Sequence, residues 1–560
     1  MELIEFTLGS ILEKCAAERP NQEYLISPYR GVRYTYAQFN ERVDNLASAL
    51  YELGVRRDYK VGIWANNHPD WITVFFATAK LGAVLVTVNT NYKVSEAEYV
   101  MKNADIHTMC MIDEYRDSCY TDITYEIVPE LRTKGDGELH SERLPMLRNV
   151  VLIGDCEADE ACHCRDREGI LSMEALIKKG ATMDHTFLRK IVAETSTHDV
   201  VNMQYTSGTT GFPKGVLLTH YNILNNGKAT GEFMRYTADD KLLVCVPMFH
   251  CFGCVLALCA VITHSATMVM LEDFDALRVL ESVHKERCTI LYGVPTMFIA
   301  ELNHPQFNDF SYKSLRTGIM AGAVCPIETM NAVMERMNCS LISIYGLTES
   351  SPGMTGSDVE RDTTETRATT VGKNFPGIEV QIIDHETGEI LPAGKQGEVC
   401  CRGWNVMKGY YNNPEATAEV IDEDGFLHSG DLGMIDERGY FHITGRIKEM
   451  IIRGGENIYP REIENFIYNL SGIKGVEVVG LPSPKYGEQV AAFVTLKEGA
   501  DEITSATIEE FCKGKIARYK IPKYIFFIDE YPMTASGKIQ KYRLRELGLN
   551  ILAERGEDVV

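Results

Sequence analysis

The sequence predicts an α/β protein: a large N-terminal domain of doubly wound sheets with a β-rich subdomain, followed by a small α+β C-terminal domain. Three observations predict it. Helix and strand signals alternate through the first third of the chain and again from Lys241. The stretch 377–409 turns β-rich, with short strands and glycine-containing turns. The last part, about 110 residues, carries its own helix and strand pattern and is long enough for an independent unit. The expected division is 1–447 and 448–560.

Each element has a local cause. Thr35 with Gln38 forms a capping-box pattern, and Phe39, Val43, Leu46, Leu50 and Leu53 recur at helical spacing until Gly54. Residues 61–65 read as a strand. Pro69 opens the next helix and Gly82 closes it. Residues 84–88 are again strand-like, Ser95 with Glu98 suggests a second capping box, and 107–112 is an apolar strand. This β-α-β-α order implies parallel strands with helices on both faces. The region 121–185 carries many charges and reads as loops with short elements. Strands are expected at 242–246, 266–271, 288–293, 316–320 and 341–345, with helices at 275–287 and 326–337. The C-terminal part shows helices near 461–470 and 505–513 and strands at 476–479 and 490–496.

Composition excludes several classes. The 560 residues are 24% charged and 45% hydrophobic, as in an ordinary globular chain. A net charge of −23 argues against gripping nucleic acid or an anionic membrane. No basic, apolar leader opens the chain. The sixteen cysteines are sparse over this length and read as reduced thiols in a cytoplasm. The cluster Cys156, Cys162, His163 and Cys164 fits no zinc template well and reads as incidental, with metal binding the alternative. Residues 242–271 lack Asp, Glu, Lys and Arg, but Pro247, His250, Gly253 and His264 interrupt them. Strand, loop, helix and strand fit that stretch better than a membrane span.

The strongest local signal is Tyr205-Thr206-Ser207-Gly208-Thr209-Thr210-Gly211-Phe212-Pro213-Lys214-Gly215. Its glycines let the backbone turn and expose N–H groups, its hydroxyls add donors, and Lys214 adds a positive charge. Such a loop suits a polyphosphate. It lacks the Gly-Lys-Ser/Thr ending of a Walker A loop.

This loop resembles the phosphate loop of the adenylate-forming superfamily, in its acyl-CoA synthetase branch. Further pieces follow in that superfamily's order. Met248-Phe249-His250 resembles its acyl-site turn, and Tyr345-Gly346-Leu347-Thr348-Glu349-Ser350 its adenine and metal motif. Ser429-Gly430-Asp431 resembles its ribose motif, Gly445-Arg446-Ile447-Lys448-Glu449 its hinge, and Ser536-Gly537-Lys538 the motif of its catalytic lysine. The resemblance covers essentially the whole chain.

The resemblance implies ATP, Mg²⁺ and coenzyme A as co-substrates or cofactor. Thr206, Ser207, Gly208, Thr209, Thr210 and Lys214 face the phosphates. Gly322, Ala323, Tyr345, Gly346 and Thr348 lie beside the nucleotide, and Asp431 and Arg446 hold its ribose. Glu349, with Thr206, serves Mg²⁺. Lys538 offsets charge where the carboxylate meets the α-phosphate. Thr206, Glu349 and Lys538 form the catalytic set. Phe249, His250, Cys251, Val294 and Met297 line the acyl pocket, with Met248, Phe252 and Phe298 as apolar neighbours. The small domain turns about Lys448 between half-reactions, and Arg453, Gly454 and Gly455 then face the thiol arm.

Read one at a time, Lys538 is a surface charge, Asp431 a turn residue, Gly454-Gly455 a hairpin turn and the apolar set ordinary core. Ala321 stands where many relatives carry glycine, which makes the backbone path there less certain. His250 replaces the aspartate with which amino-acid-activating relatives hold an ammonium, so amino acids are not expected substrates. The implied reaction is ATP-dependent acyl-CoA synthesis on a medium- or long-chain fatty acid, by a monomer or homodimer. Alternatives are an aryl-CoA ligase, a luciferase-like oxygenase, a domain loading a carrier protein, and a non-catalytic nucleotide-binding protein on the same fold.

Overall fold

A computed structural model describes residues 1–133, 138–154, 167–206, 213–322, 325, 327–454, 456–500, 502–534 and 538–556. The cysteine and histidine cluster at 156–164 lies outside them. The chain forms two compact units, Met1–Glu379 with Cys401–Leu427, and Val380–Cys400 with His428–Val560.

The first unit holds two large sheets. One runs in the order Gly409–Tyr410, Lys214–Thr219, Val200–Thr206, Val84–Thr87, Lys60–Trp64, Ile106–Met111, Asn149–Leu152 and Leu171–Ser172. From Val200–Thr206 onward its neighbours are parallel. The other runs Ser340–Ile342, Thr317–Met320, Ile290–Gly293, Lys241–Val244, Thr267–Met270, Glu23–Ser27 and Val32–Thr35, parallel except for the last pair. The expected doubly wound α/β class is therefore what the chain adopts. Parallel strands are buried on both faces, which explains why they read as apolar runs without alternation.

Helix Tyr36–Glu52 begins with the expected box: Thr35 Oγ1 accepts from Gln38 N and Gln38 Oε1 accepts from Thr35 N. Pro69 sits at the start of helix Pro69–Lys80, all twelve residues of which are buried. Its last residue, Lys80, is a buried lysine. Its ammonium donates to Glu13 at 3.1 Å, Asn40 at 2.9 Å and Asp44 at 2.5 Å. These acceptors offset the desolvation of the charge. Residues 242–271 form strand, turn, helix and strand as expected. Among the described residues no helix is long and apolar enough to cross a membrane.

Two expectations need correction. The helix after Asn91 is Val94–Asn103, so its first N–H groups are served two residues earlier than predicted, with Glu96 accepting from Lys93 N at 2.9 Å. The region 121–185 is more regular than its charge suggested. Strand Asn149–Leu152 joins the larger sheet, and helices Tyr120–Ile127 and Met173–Gly180 flank it. A four-residue apolar run is too short to stand out from its surroundings.

The second unit contains a four-stranded sheet, Ile378–Ile383, Gly397–Gly403, Leu427–Ile435 and Phe441–Arg446. A second sheet pairs Glu456–Ile458, Ile451–Arg453, Gly487–Leu496 and Ile473–Ser483, and Tyr524–Phe527 adds a strand parallel to Gly487–Leu496. Helices Pro460–Tyr468, Ser505–Cys512 and Lys541–Glu554 complete it. Its two longest strands, Ile473–Ser483 and Gly487–Leu496, start three residues before the predicted 476–479 and 490–496, and the first also runs four residues further.

Glu477, on Ile473–Ser483, has its carboxyl pushed up to about 7, by burial first and then by the Glu464 charge. The folded chain keeps that proton where the unfolded chain, with a glutamate near 4.5, has released it. Stability therefore declines as pH rises from about 4.5 to about 7 and levels off above. Glu477→Gln is expected to flatten that decline in urea midpoints compared at about pH 5 and about pH 7.5. An unchanged decline would assign it to another group.

Candidate active site

The phosphate-loop residues sit on a hairpin. Val200–Thr206 and Lys214–Thr219 are antiparallel, with Thr206 directly opposite Lys214. The connecting residues, among them Ser207, Gly208, Thr209 and Thr210, lie outside the described ones. Tyr99 donates its hydroxyl to the Pro213 carbonyl at 3.1 Å and braces the outgoing side.

The next strand over, Gly409–Tyr410, sets Tyr410 opposite Val216. The Lys214 ammonium lies 4.8 Å from the Tyr410 ring centroid. The same tyrosine donates its hydroxyl to Glu349 Oε1 at 2.8 Å. Burial, and then the Glu349 charge, raises the Tyr410 phenol well above its ordinary value, so it stays protonated and donates. Lys214 and Glu349 are thus gathered around one ring, with Thr206 on the strand opposite Lys214. Among the described residues, the other Glu349 oxygen has no hydrogen-bond partner. One available carboxylate oxygen fits a hard cation that keeps most of its water.

Glu349 belongs to a turn, Thr348–Ser350, that follows strand Ile344–Gly346. A Cβ on Gly346 would fall 1.8 Å from the Pro352 carbonyl oxygen, so only glycine fits there. Helix His220–Phe233 holds this region with buried amides. Asn226 exchanges hydrogen bonds with the Gly353 N–H at 3.1 Å and carbonyl at 2.9 Å, and Asn222 donates to the carbonyls of Trp404 and Val406. Buried backbone groups away from regular structure need such partners. Tyr345 is half-buried and pairs with Thr355.

The turn Met248-Phe249-His250, read as the acyl-site turn, adjoins the same motif. Cys251 Sγ lies 3.8 Å from Thr348 Oγ1 and 3.7 Å from His250 Nδ1. Phe252 N–H donates to His250 Nδ1 at 3.2 Å, which leaves the proton of the neutral ring on Nε2. Met248, Cys251, Phe252 and Val294 are buried in one core, with Met297 packed against it, while Phe249 and His250 are half-buried. Phe298 departs from the expected set. It is fully buried in a separate core with Val283, Leu291 and Met320. Ala321 continues its strand, its N–H donating to the Gly293 carbonyl at 3.3 Å, and Gly322 then turns with φ +85°. Alanine is therefore accommodated; Ala323 lies outside the described residues.

In the second unit, Asp431 and Arg446 are cross-strand partners joined at 2.8 Å. Glu398, on the adjacent strand, accepts from the Gly430 N–H at 2.9 Å and contacts His428 Nδ1 at 3.1 Å. It holds the turn that presents Asp431. Lys538 is exposed. Its N–H donates to Thr534 Oγ1 at 3.0 Å, and its carbonyl accepts from Thr534 N at 2.7 Å. Lys448 lies in the turn Ile447–Glu449. Arg453 pairs across a hairpin with Glu456, donates to Gln489 at 2.7 Å and covers the Tyr486 ring. Gly454 occupies that hairpin turn; Gly455, Ser536 and Gly537 lie outside the described residues.

The AMP-binding enzyme family profile matches residues 12–411, and the AMP-binding enzyme C-terminal domain matches 462–538. The chain belongs to the AMP-binding enzyme family. YngI of Bacillus subtilis (strain 168) is 47% identical over 97% of each chain. The mitochondrial medium-chain acyl-CoA ligase of Bos taurus is 38% identical over 98% of this chain and 88% of its own. An anthranilate CoA ligase solved with anthranoyl-AMP superposes with a TM-score of 0.83 at 26% identity over 98% of both chains. The enzyme class implied by the motifs, an AMP-forming acid–thiol ligase, stands with these relatives.

Two residues of this AMP-binding enzyme escaped the sequence reading. Tyr410 and Glu398 reach the motif residues only through space. A faint signal exists for Glu398, an acid beside the apolar run Val399-Cys400-Cys401. Tyr410→Phe is expected to slow AMP formation about tenfold, the cost of one hydrogen bond to a charged group, while stability falls by about 1 kcal/mol. A full-rate Tyr410→Phe enzyme would show that Glu349 needs no such anchor.

Proposed function

We propose that the protein is an ATP-dependent acyl-CoA synthetase acting on an apolar carboxylic acid, of medium or long chain. The observation that carries this is the assembly of Lys214 and Glu349 around Tyr410, with Thr206 opposite Lys214, next to an apolar turn bearing His250. In the first half-reaction a carboxylate oxygen attacks the α-phosphorus of ATP and pyrophosphate leaves. In the second, the thiol of coenzyme A attacks the acyl carbonyl carbon and AMP leaves.

Lys214 and Thr206 bind the phosphates, and Tyr345 and the backbone at Gly322 and Gly346 flank the base. Asp431, an acceptor, and Arg446, a donor, suit ribose hydroxyls. Glu349 and Thr206 would hold Mg²⁺, which neutralises phosphate charge when bound. Lys538 counters the meeting of two anions and the charge that develops at phosphorus. The second step needs room for a long thiol arm at the same carbonyl, so the C-terminal module turns about Lys448 and offers Arg453, Gly454 and Gly455 instead. The thirteen described cysteines are all free thiols, which supports a reducing, cytoplasmic setting. A monomer or homodimer suffices for this chemistry.

An aryl-CoA ligase is the second reading. It is favoured by the Phe252 ring stacked on Tyr292 at 5.8 Å beside the acyl turn, and by the likeness to the anthranilate ligase. A panel of aliphatic and aromatic acids, scored by CoA-dependent AMP release, separates the two. Highest kcat/KM on straight-chain acids is the expected outcome; preference for benzoate-like acids establishes the second reading. Lys538→Ala is expected to cut pyrophosphate release by about 10²–10³ while transfer from supplied acyl-adenylate to CoA survives. Equal loss of both steps would remove Lys538 from its role.

A further inference from the structure

Three residues beyond Lys538, a lysine of the C-terminal unit sits among three carboxylates. Lys541 opens helix Lys541–Glu554. Its ammonium lies 2.6 Å from Glu464, 3.4 Å from Glu449 and 3.5 Å from Glu477. Burial disfavours its charge, yet the three carboxylates more than offset that and raise it above the ordinary lysine value. Glu464 also accepts from the Val478 N–H at 2.9 Å, which fixes it to strand Ile473–Ser483. Glu449 is the residue after Lys448 and ends the turn Ile447–Glu449. On the other side, the segment bearing Lys538 is pinned to Lys541's own turn. Met533 bridges Ile539, and Gln540 N–H donates to the Pro532 carbonyl at 2.8 Å. One ammonium therefore connects the turn that holds Lys448 with the element that begins where the lysine loop ends.

Stability alone does not account for Glu449. Glu464 already pairs Lys541 at short range. Glu449 has a side chain 36% exposed and free access to water, and near Lys541 it faces the Glu464 charge, joined by that of Glu477 once its proton is lost. A partly exposed third carboxylate contributes little and adds repulsion. What it does contribute is a fixed distance between two segments.

We propose that Lys541, through Glu449, is a positioning residue that locks the Lys448 turn to the Lys538 loop, so that both move as one rigid body. This rests on the reading of Lys538 as the adenylation cation and Lys448 as the pivot. A loop that lags behind its pivot arrives misplaced, and small misplacements at a reacting centre cost large factors in rate.

The test uses the full-length enzyme and measures pyrophosphate release, acyl transfer from supplied acyl-adenylate, and the thermal midpoint. Lys541→Met strips a buried cluster of its counter-charge and lowers stability, so Glu449→Gln at the half-exposed end carries the test. Glu449→Gln is expected to lower the adenylation kcat about tenfold, with the KM for ATP changed by less than about twofold. Its midpoint is expected to hold or rise, since a charge repelled by Glu464 is gone. Lys538→Ala runs alongside. If Lys538→Ala is inactive in adenylation and Glu449→Gln is wild-type, the positioning role is overturned and the parent reading stands. If Lys538→Ala still adenylates, both fall together.

Discussion

A lysine and a glutamate held as close together as Lys214 and Glu349 neutralise each other unless something stands between them. Tyr410 solves that problem. Its ring face takes the Lys214 ammonium and its hydroxyl takes the Glu349 carboxylate, so one side chain keeps the opposite charges apart. Phenol is suited to this. It offers a negative face and a positive hydroxyl hydrogen in one rigid plane. A direct ion pair between the two would satisfy both charges and leave neither for a ligand.

That spacer works only if its three supports are fixed. The hairpin Val200–Thr206/Lys214–Thr219 places Lys214, the edge strand Gly409–Tyr410 places the ring, and the turn Thr348–Ser350 places Glu349. Helix His220–Phe233 serves the turn and the segment leading to the edge strand together. Asn226 grips Gly353 just beyond the turn, and Asn222 grips Trp404 and Val406 just before the strand. Asparagines are poor helix formers, and their presence inside a buried helix is explained by the backbone groups they satisfy elsewhere.

Much of this was legible in the chain. The motifs that resemble the adenylate-forming superfamily named Thr206, Lys214, Glu349, Asp431 and Lys538 because each is embedded in a compact run of glycines and hydroxyls. The parallel strands were legible as unbroken apolar runs. Partners that act through space were not. Tyr410, Glu398, Asn222 and Asn226 lie far along the chain from what they hold, and only Glu398, an acid beside an apolar run, is faintly marked by its own neighbourhood. Phe298 lies in a second core cluster, against which its neighbour Met297 also packs. The strand Asn149–Leu152 was hidden by charged flanks, and Tyr524–Phe527 by its brevity.

The pairing of Asp431 with Arg446 shapes how that corner of the protein treats passing solutes. A carboxylate and a guanidinium already in contact present almost no net field, so phosphate and chloride gain little by approaching. A vicinal diol, carrying no charge but offering donors and acceptors at matched spacing, can bridge both members without parting them far. In the proposed ribose role of this pair, discrimination rests on hydroxyl stereochemistry and persists at ionic strengths that erase simpler electrostatic capture.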